Sequence, residues 1–164
     1  MDAHASSSTR RRDSFVPRSL LLSAEDVRRA VRRMAHEVVE RVRDTDSLVV
    51  LGLQTGGVAF AELLADTLVD ITTREVARGT LDVSFYRDDV GQRPFVNGAA
   101  SSVPVDLSDH LVLLVDDVLF TGRTIRSALN ALGDFGRPRA VQLAVMIDRG
   151  HRELPIRPDY VGKN

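Results

Sequence analysis

The chain has no cysteine, which removes disulfides, a thiol nucleophile and every cysteine-ligated zinc or iron–sulfur site from consideration. It has almost no lysine: of 22 basic residues all are Arg except Lys163. Long hydrophobic runs are also missing. A stretch such as residues 111–115 falls far short of the roughly 20 apolar residues a spanning helix needs, so no membrane segment is expected. The amino terminus carries Arg10, Arg11 and Arg12, but the Leu20-Leu21-Leu22 run behind them is too short for a signal-peptide core. A cytoplasmic location is expected. Net charge is lacking as well, at −1, and taken whole it points to no class of partner.

What is present suits one globular domain. Of 164 residues 43% are apolar, and a domain of this size buries about two-thirds or more of its unfolded surface without a metal or disulfide staple. The Arg bias has two readings. The guanidinium is a planar fork of donors that matches phosphate oxygens, whereas an Arg-rich source genome gives the same composition.

Residues 1–19 are Ser-rich and basic with no apolar period, and are expected to form a disordered tail. Ser23 followed by Asp26 is an N-cap pattern. Val27, Val31, Met34, Val38 and Val42 then mark one face of a helix. Residues 48–53 read as a strand, Gln54-Thr55-Gly56-Gly57 as a turn, and Val58, Ala61, Ala65 and Leu68 as a second helix. A strand is expected over 80–86, a long loop over 87–109, a doubly buried strand over 111–115, a helix over 124–135 and a strand over 141–147. Alternating strands and helices predict an α/β fold with a mostly parallel sheet flanked by helices.

The most specific stretch runs Leu111-Val112-Leu113-Leu114-Val115-Asp116-Asp117-Val118-Leu119-Phe120-Thr121-Gly122-Arg123-Thr124. An apolar strand delivers two carboxylates at its C-terminal end, where open α/β sheets bind ligands. The Thr-Gly-Arg-Thr turn then opens a helix, and its backbone N–H groups and hydroxyls can cradle a phosphate. The carboxylates suit sugar hydroxyls or a water-bridged Mg²⁺. Phosphate on one side and diol acceptors on the other describe a ribose 5-phosphate.

This stretch resembles the phosphoribosyl-pyrophosphate (PRPP) signature of type I phosphoribosyltransferases. Further blocks resemble the pyrimidine operon regulator (PyrR) family: Ala35-His36-Glu37, Ser84-Phe85-Tyr86-Arg87-Asp88-Asp89, the segment Asp148-Arg149-Gly150-His151-Arg152-Glu153-Leu154-Pro155-Ile156-Arg157, and the closing Asp159-Tyr160-Val161-Gly162-Lys163-Asn164. The resemblance implies a type I phosphoribosyltransferase domain over residues 20–164, with a flexible lid loop and a small hood. It also implies uracil phosphoribosyltransferase activity (uracil and PRPP giving UMP and diphosphate) and control of pyrimidine biosynthesis by uridine-nucleotide-dependent binding to operon mRNA.

By position, the PRPP site would comprise Thr55 and Gly56 with Leu113, Leu114, Val115, Asp116, Asp117, Val118, Leu119, Phe120, Thr121, Gly122, Arg123 and Thr124. Asp116, Asp117 and Arg87 would be the catalytic residues, the last at the base of the lid. Met146, Ile147 and Asp148 would border uracil. Arg32, Arg33, His36, Arg152, Arg157 and Lys163 would meet RNA. Mg²⁺ would be bound mainly through PRPP, with no ligand directly from the protein, and a homo-oligomer, dimer or tetramer, is expected.

Two departures from the family pattern matter. Where relatives usually have Thr-Arg-Gly at the pyrophosphate loop, this chain has Thr55-Gly56-Gly57, so a guanidinium facing the leaving group is missing and weak activity is expected. The chain also stops at Asn164 where relatives continue, so the domain is expected to be shortened there. An RNA-binding nucleotide sensor without catalysis, or a purine or pyrimidine phosphoribosyltransferase without an RNA role, are the alternatives. The Arg28, Arg29, Arg32 and Arg33 cluster can also be a solvated helix face supported by i,i+4 pairs such as Glu25–Arg29. The like-charge spacings Arg28–Arg32 and Arg29–Arg33 argue for another use. His36 and His151 have Arg-rich rather than carboxylate-rich surroundings, which disfavours metal binding.

Overall fold

The computed structural model describes residues 19–86 and 101–164. The amino-terminal tail over 1–18 and the loop segment 87–100, Arg87 included, lie outside the described residues.

Five strands form one sheet: β1 (Leu48–Leu53), β2 (Ala77–Leu81), β3 (Leu111–Leu119), β4 (Ala140–Asp148) and β5 (Tyr160–Lys163). Their order is β2-β1-β3-β4-β5 and every neighbouring pair is parallel. A parallel sheet needs cover on both faces, and the strand sequences supply apolar residues in both directions. Along β1, Leu48 and Val50 point to one core cluster, and Val49, Leu51 and Leu53 to the other. Two helices, α1 (Ala24–Arg41) and α2 (Gly56–Thr72), cover the first face. The second is covered by α3 (Arg123–Leu132) with Leu81, Val83 and Leu107.

The expected stripe on α1 is the buried one: Val31, Met34 and Val38 are in the core. Its start is closed by a reciprocal capping box. Asp26 N donates to Ser23 Oγ at 3.1 Å and Ser23 N to Asp26 Oδ2 at 3.0 Å.

Three elements differ from expectation. The strand expected over 80–86 lies earlier, at Ala77–Leu81, and Ser84–Tyr86 is a 3₁₀ turn. Asp82 causes the break: its Oδ1 accepts from Ser84 N at 2.9 Å, a local bond that competes with the sheet ladder. The last part of the expected loop belongs to the body of the domain, because Ser102 bridges to Thr80 and Leu107 is fully buried. Finally, β5 was not legible as a strand. Its anchor is Tyr160, buried, with its hydroxyl donating to Gln142 Oε1 at 2.7 Å and the Arg41 guanidinium 5.1 Å from its ring centre.

Candidate active site

Strands β1 and β3 are neighbours, yet the chain leaves β1 toward β2 and β3 toward β4 on opposite sides. Such a reversal opens a crevice at the C-terminal strand ends. The register shows where. Pairing of β1 with β3 ends at Gly52 and Val115, whereas β3 runs on beside β4 as far as Leu119 opposite Asp148. Asp116 and Asp117 therefore lie within the strand but beyond the end of β1.

The two carboxylates differ in environment. Asp116 is only 9% exposed, and its Oδ1 accepts from Asp117 N at 2.9 Å. Burial pushes its carboxyl up to about 7, and the adjacent Asp117 carboxylate adds to the effect. Asp117 is exposed and its Oδ1 accepts from Val118 N at 2.8 Å. The Asp117 carboxylate rests against the start of α2, in the space that a Cβ on Gly56 would enter. No local pattern signals this contact between residues 56 and 117.

Beyond β3, Gly122 adopts φ 93° and takes the N-cap position of α3 with no side-chain cap bond. A residue with a Cβ is strained at that angle. A cleft of about 280 Å³ opens here, lined by Asp116, Val118–Thr124, Ile125 and Ser127. Thr55, at the N-cap of α2, likewise makes no side-chain cap bond. Thus neither N-cap residue at the crevice caps its helix with its own side chain, although Thr121 Oγ1 accepts from Arg123 N at 3.3 Å, while α1 has a complete capping box. First-turn N–H groups and the helix dipole both favour anions.

On its other side the loop is held by residues that follow β4. Arg149 N donates to Leu119 O at 2.9 Å, Arg152 Nη1 to Phe120 O at 2.9 Å, and Glu153 N to Thr121 O at 3.0 Å. Arg123 Nε pairs with Glu153 Oε2 at 2.5 Å. Nothing local in the chain marks Glu153 and Leu154 for this role, whereas Ser127, which also lines the cleft, lies four residues after Arg123 on the same helix face. Of the expected uracil residues, Met146 is buried, Ile147 pairs with Val118, and Asp148 ends β4. The Arg152 guanidinium, 2.7 Å from Asp148 Oδ2, holds that carboxyl below its ordinary value.

The expected RNA residues divide into groups. Arg32 and His36 are exposed on α1, and Arg157 is exposed. Arg33 Nη2 donates to Val161 O at 2.6 Å and Gly162 O at 3.0 Å, and Lys163 Nζ to Leu21 O at 3.1 Å, so both sit where α1 meets β5. Arg152 is instead engaged at the phosphate-like loop. Among the described residues there is no group of three or more His, Asp or Glu able to hold a metal ion, and no helix is long and apolar enough to cross a membrane.

Residues 19–164 match the phosphoribosyl transferase domain family. The Bifunctional protein PyrR of Deinococcus radiodurans is 52% identical over 151 residues, covering 90% of this chain and 81% of that protein. The Bifunctional protein PyrR of Streptomyces coelicolor is 56% identical over 145 residues, covering 88% of this chain and 75% of its own length. Among solved structures, a hypoxanthine phosphoribosyltransferase from Staphylococcus aureus superposes with a TM-score of 0.69 at 21% identity, over 89% of this chain and 77% of that one. A hypoxanthine-guanine phosphoribosyltransferase from Bacillus anthracis gives 0.70 at 17% identity, over 92% and 86%. Identity that low speaks for the fold alone, which is the type I phosphoribosyltransferase fold. The sequence identity to curated relatives goes further: this chain belongs to the PyrR family of phosphoribosyl transferase domain proteins.

Proposed function

We propose that the chain converts uracil and PRPP to UMP and diphosphate, and regulates pyrimidine biosynthesis operon expression by binding mRNA in response to uridine nucleotides. The observation that carries this reading is the pair of helix N-termini at one crevice, with a strand-end carboxylate pair between them. PRPP has the complementary form: an anion at each end of a diol-bearing sugar.

In this reading the 5-phosphate takes the N–H groups of the Thr121–Thr124 turn, and the diphosphate lies at Thr55-Gly56, before α2. Asp116 and Asp117 accept hydrogen bonds from the ribose hydroxyls, and Met146, Ile147 and Asp148 border the base. As hard oxygen groups, the two carboxylates suit a Mg²⁺ that would be held mainly through PRPP and would reach them only through water; when bound, it would offset charge on the departing diphosphate. The uracil N1–anomeric carbon bond forms as the carbon–oxygen bond to diphosphate breaks, and the N1 proton passes to water or to the departing diphosphate. Positive charge grows on the sugar, and Asp116 and Asp117 lie where they can stabilise it. Holding the reactants in line supplies much of the remaining rate. Arg87, expected at the lid, belongs to this proposal by resemblance alone.

Gly56 bears on the rate. With no guanidinium at the leaving group, turnover is expected to be slow, and Gly56→Arg is expected to raise kcat by on the order of 10²-fold. The new side chain must displace the Asp117 carboxylate, which is exposed and can rotate. A UMP-formation assay with PRPP, Mg²⁺ and uracil compares the two proteins. Equal turnover would remove Gly56 as the cause of weak activity, and no UMP from either would leave the sensor reading.

The RNA surface proposed here runs along Arg32, Arg33 and His36 of α1 to Lys163, with Arg157 nearby in sequence. Basic side chains supply affinity to RNA phosphates that falls with salt. A gel shift with the operon leader should show binding strengthened by UMP and weakened at least tenfold by Arg32→Ala with His36→Ala. An undiminished shift by that double variant would exclude the α1 face. A cytoplasmic location and assembly as a dimer or tetramer complete the proposal.

A further inference from the structure

Arg152 matches a family position assigned above to RNA, yet its guanidinium is turned inward. Nε donates to Ile156 O at 2.8 Å, Nη1 to Phe120 O at 2.9 Å and Nη2 to Asp148 Oδ2 at 2.7 Å. Its side chain is 22% exposed. One planar group thus joins three elements: the turn after β3, the end of β4 and the segment leading to β5.

The consequence follows from peptide geometry. In a trans peptide the carbonyl of one residue and the N–H of the next point in opposite directions. The carbonyls of Leu119, Phe120 and Thr121 all accept from residues 149–154. The N–H groups of Phe120, Thr121 and Gly122 are therefore directed away from that segment. The cleft lies on that far side, since no residue of 149–156 lines it. Backbone amides supply the bonds to Leu119 O and Thr121 O, but the bond to Phe120 O comes from a side chain.

We infer that Arg152 is a positioning residue: by holding Phe120 O it aims the Thr121 N–H at the 5-phosphate, and by holding Asp148 it fixes the base-side wall to the same loop. Lysine cannot replace it, because a single ammonium on a flexible stem does not reach three acceptors that a fork reaches together. The inference rests on the reading of the Thr121–Thr124 turn as a phosphate site.

The test uses the full chain with Arg152→Lys, Arg152→Met and, as a control, Arg157→Ala. Arg152→Lys is expected to raise the KM for PRPP about tenfold and to weaken inorganic phosphate by a similar factor, with kcat at saturation within about twofold. That split is what loss of binding common to ground and transition states produces. In the ligand-free protein the amide resonances of Thr121 and Gly122 should shift, more in Arg152→Met than in Arg152→Lys, while Arg157→Ala leaves them in place. If the Arg152 variants fail to fold, Asp148→Asn removes the charged partner of Nη2 and should move the same two resonances. Unchanged phosphate affinity and unchanged Thr121 and Gly122 resonances overturn the inference, including the case where only RNA binding falls. If the unsubstituted protein binds no PRPP, the site reading fails, and the two resonances alone decide the role of Arg152.

Discussion

Asp117→Ala is expected to weaken PRPP binding about 100-fold while leaving inorganic phosphate binding as tight as before or tighter. The two ligands separate because the carboxylate has opposite effects on them. Toward ribose it is an acceptor for hydroxyl donors, and hydrogen bonds to a charged group contribute about 1.5–3 kcal/mol each. One or two such bonds amount to about 3 kcal/mol, or roughly 100-fold. Toward a bare phosphate it is a like charge, so removing it cannot harm and relieves repulsion. The fold should tolerate the change, since Asp117 is exposed and its Oδ1 accepts from the adjacent Val118 N–H rather than from a distant element. Calorimetric titration with PRPP and with phosphate reads both effects. Equal PRPP affinity in the variant would refute the diol role, and parallel losses for both ligands would show a collapsed loop instead.

Asp116→Asn is expected to stabilise the folded protein at pH 8 while impairing PRPP binding. Asp116 is buried and its carboxyl is pushed up to about 7, against an ordinary value of 3.8. Below pH ~4 the group is protonated whether the chain is folded or not, and the burial penalty is absent. As pH rises toward 7 the unfolded chain ionises first, so stability falls across that window and stays low above it. At about 1.4 kcal/mol per pH unit the ceiling is about 4 kcal/mol. Asparagine keeps an oxygen for the Asp117 N–H and carries no charge to desolvate, so the penalty disappears. Several degrees in Tm at pH 8, shrinking toward pH 4, are expected. Superimposable pH–stability curves for the two proteins would show that Asp116 carries no such penalty. The unsubstituted protein should also bind PRPP more tightly at pH 8 than at pH 6, because only the ionised carboxylate accepts from both hydroxyls.

Much of this was legible in the chain, for identifiable reasons. Long periodic signals held: the α1 stripe through Val31, Met34 and Val38, its Ser23 cap, and β1 over residues 48–53. The strand–carboxylate–turn–helix run located the cleft because its residues are consecutive, so local order and spatial order coincide. Short or interrupted signals failed. Four residues of β5 carry too little pattern, and the Asp82 side chain ended β2 where alternation continued. What the sequence could not show were contacts across long separations, such as Gly56 with Asp117 or Arg152 with Phe120. The inward turn of Arg152 is of this kind, since a basic residue in a basic segment looks alike whether it faces solvent or its own backbone.

The two helix ends at the crevice have a consequence for the life of the protein in the cell. A helix whose first turn waits for an anion is completed by whatever anion arrives, and a ligand that binds only the folded chain stabilises it by mass action. At 100 times its dissociation constant that is about 2.7 kcal/mol. Resistance to heat and proteolysis should then follow the supply of PRPP and UMP, and Tm should climb with added PRPP in the Asp117 form but hardly in Asp117→Ala. Abundance of the regulator would itself report nucleotide status, through survival of the folded chain before any RNA is bound.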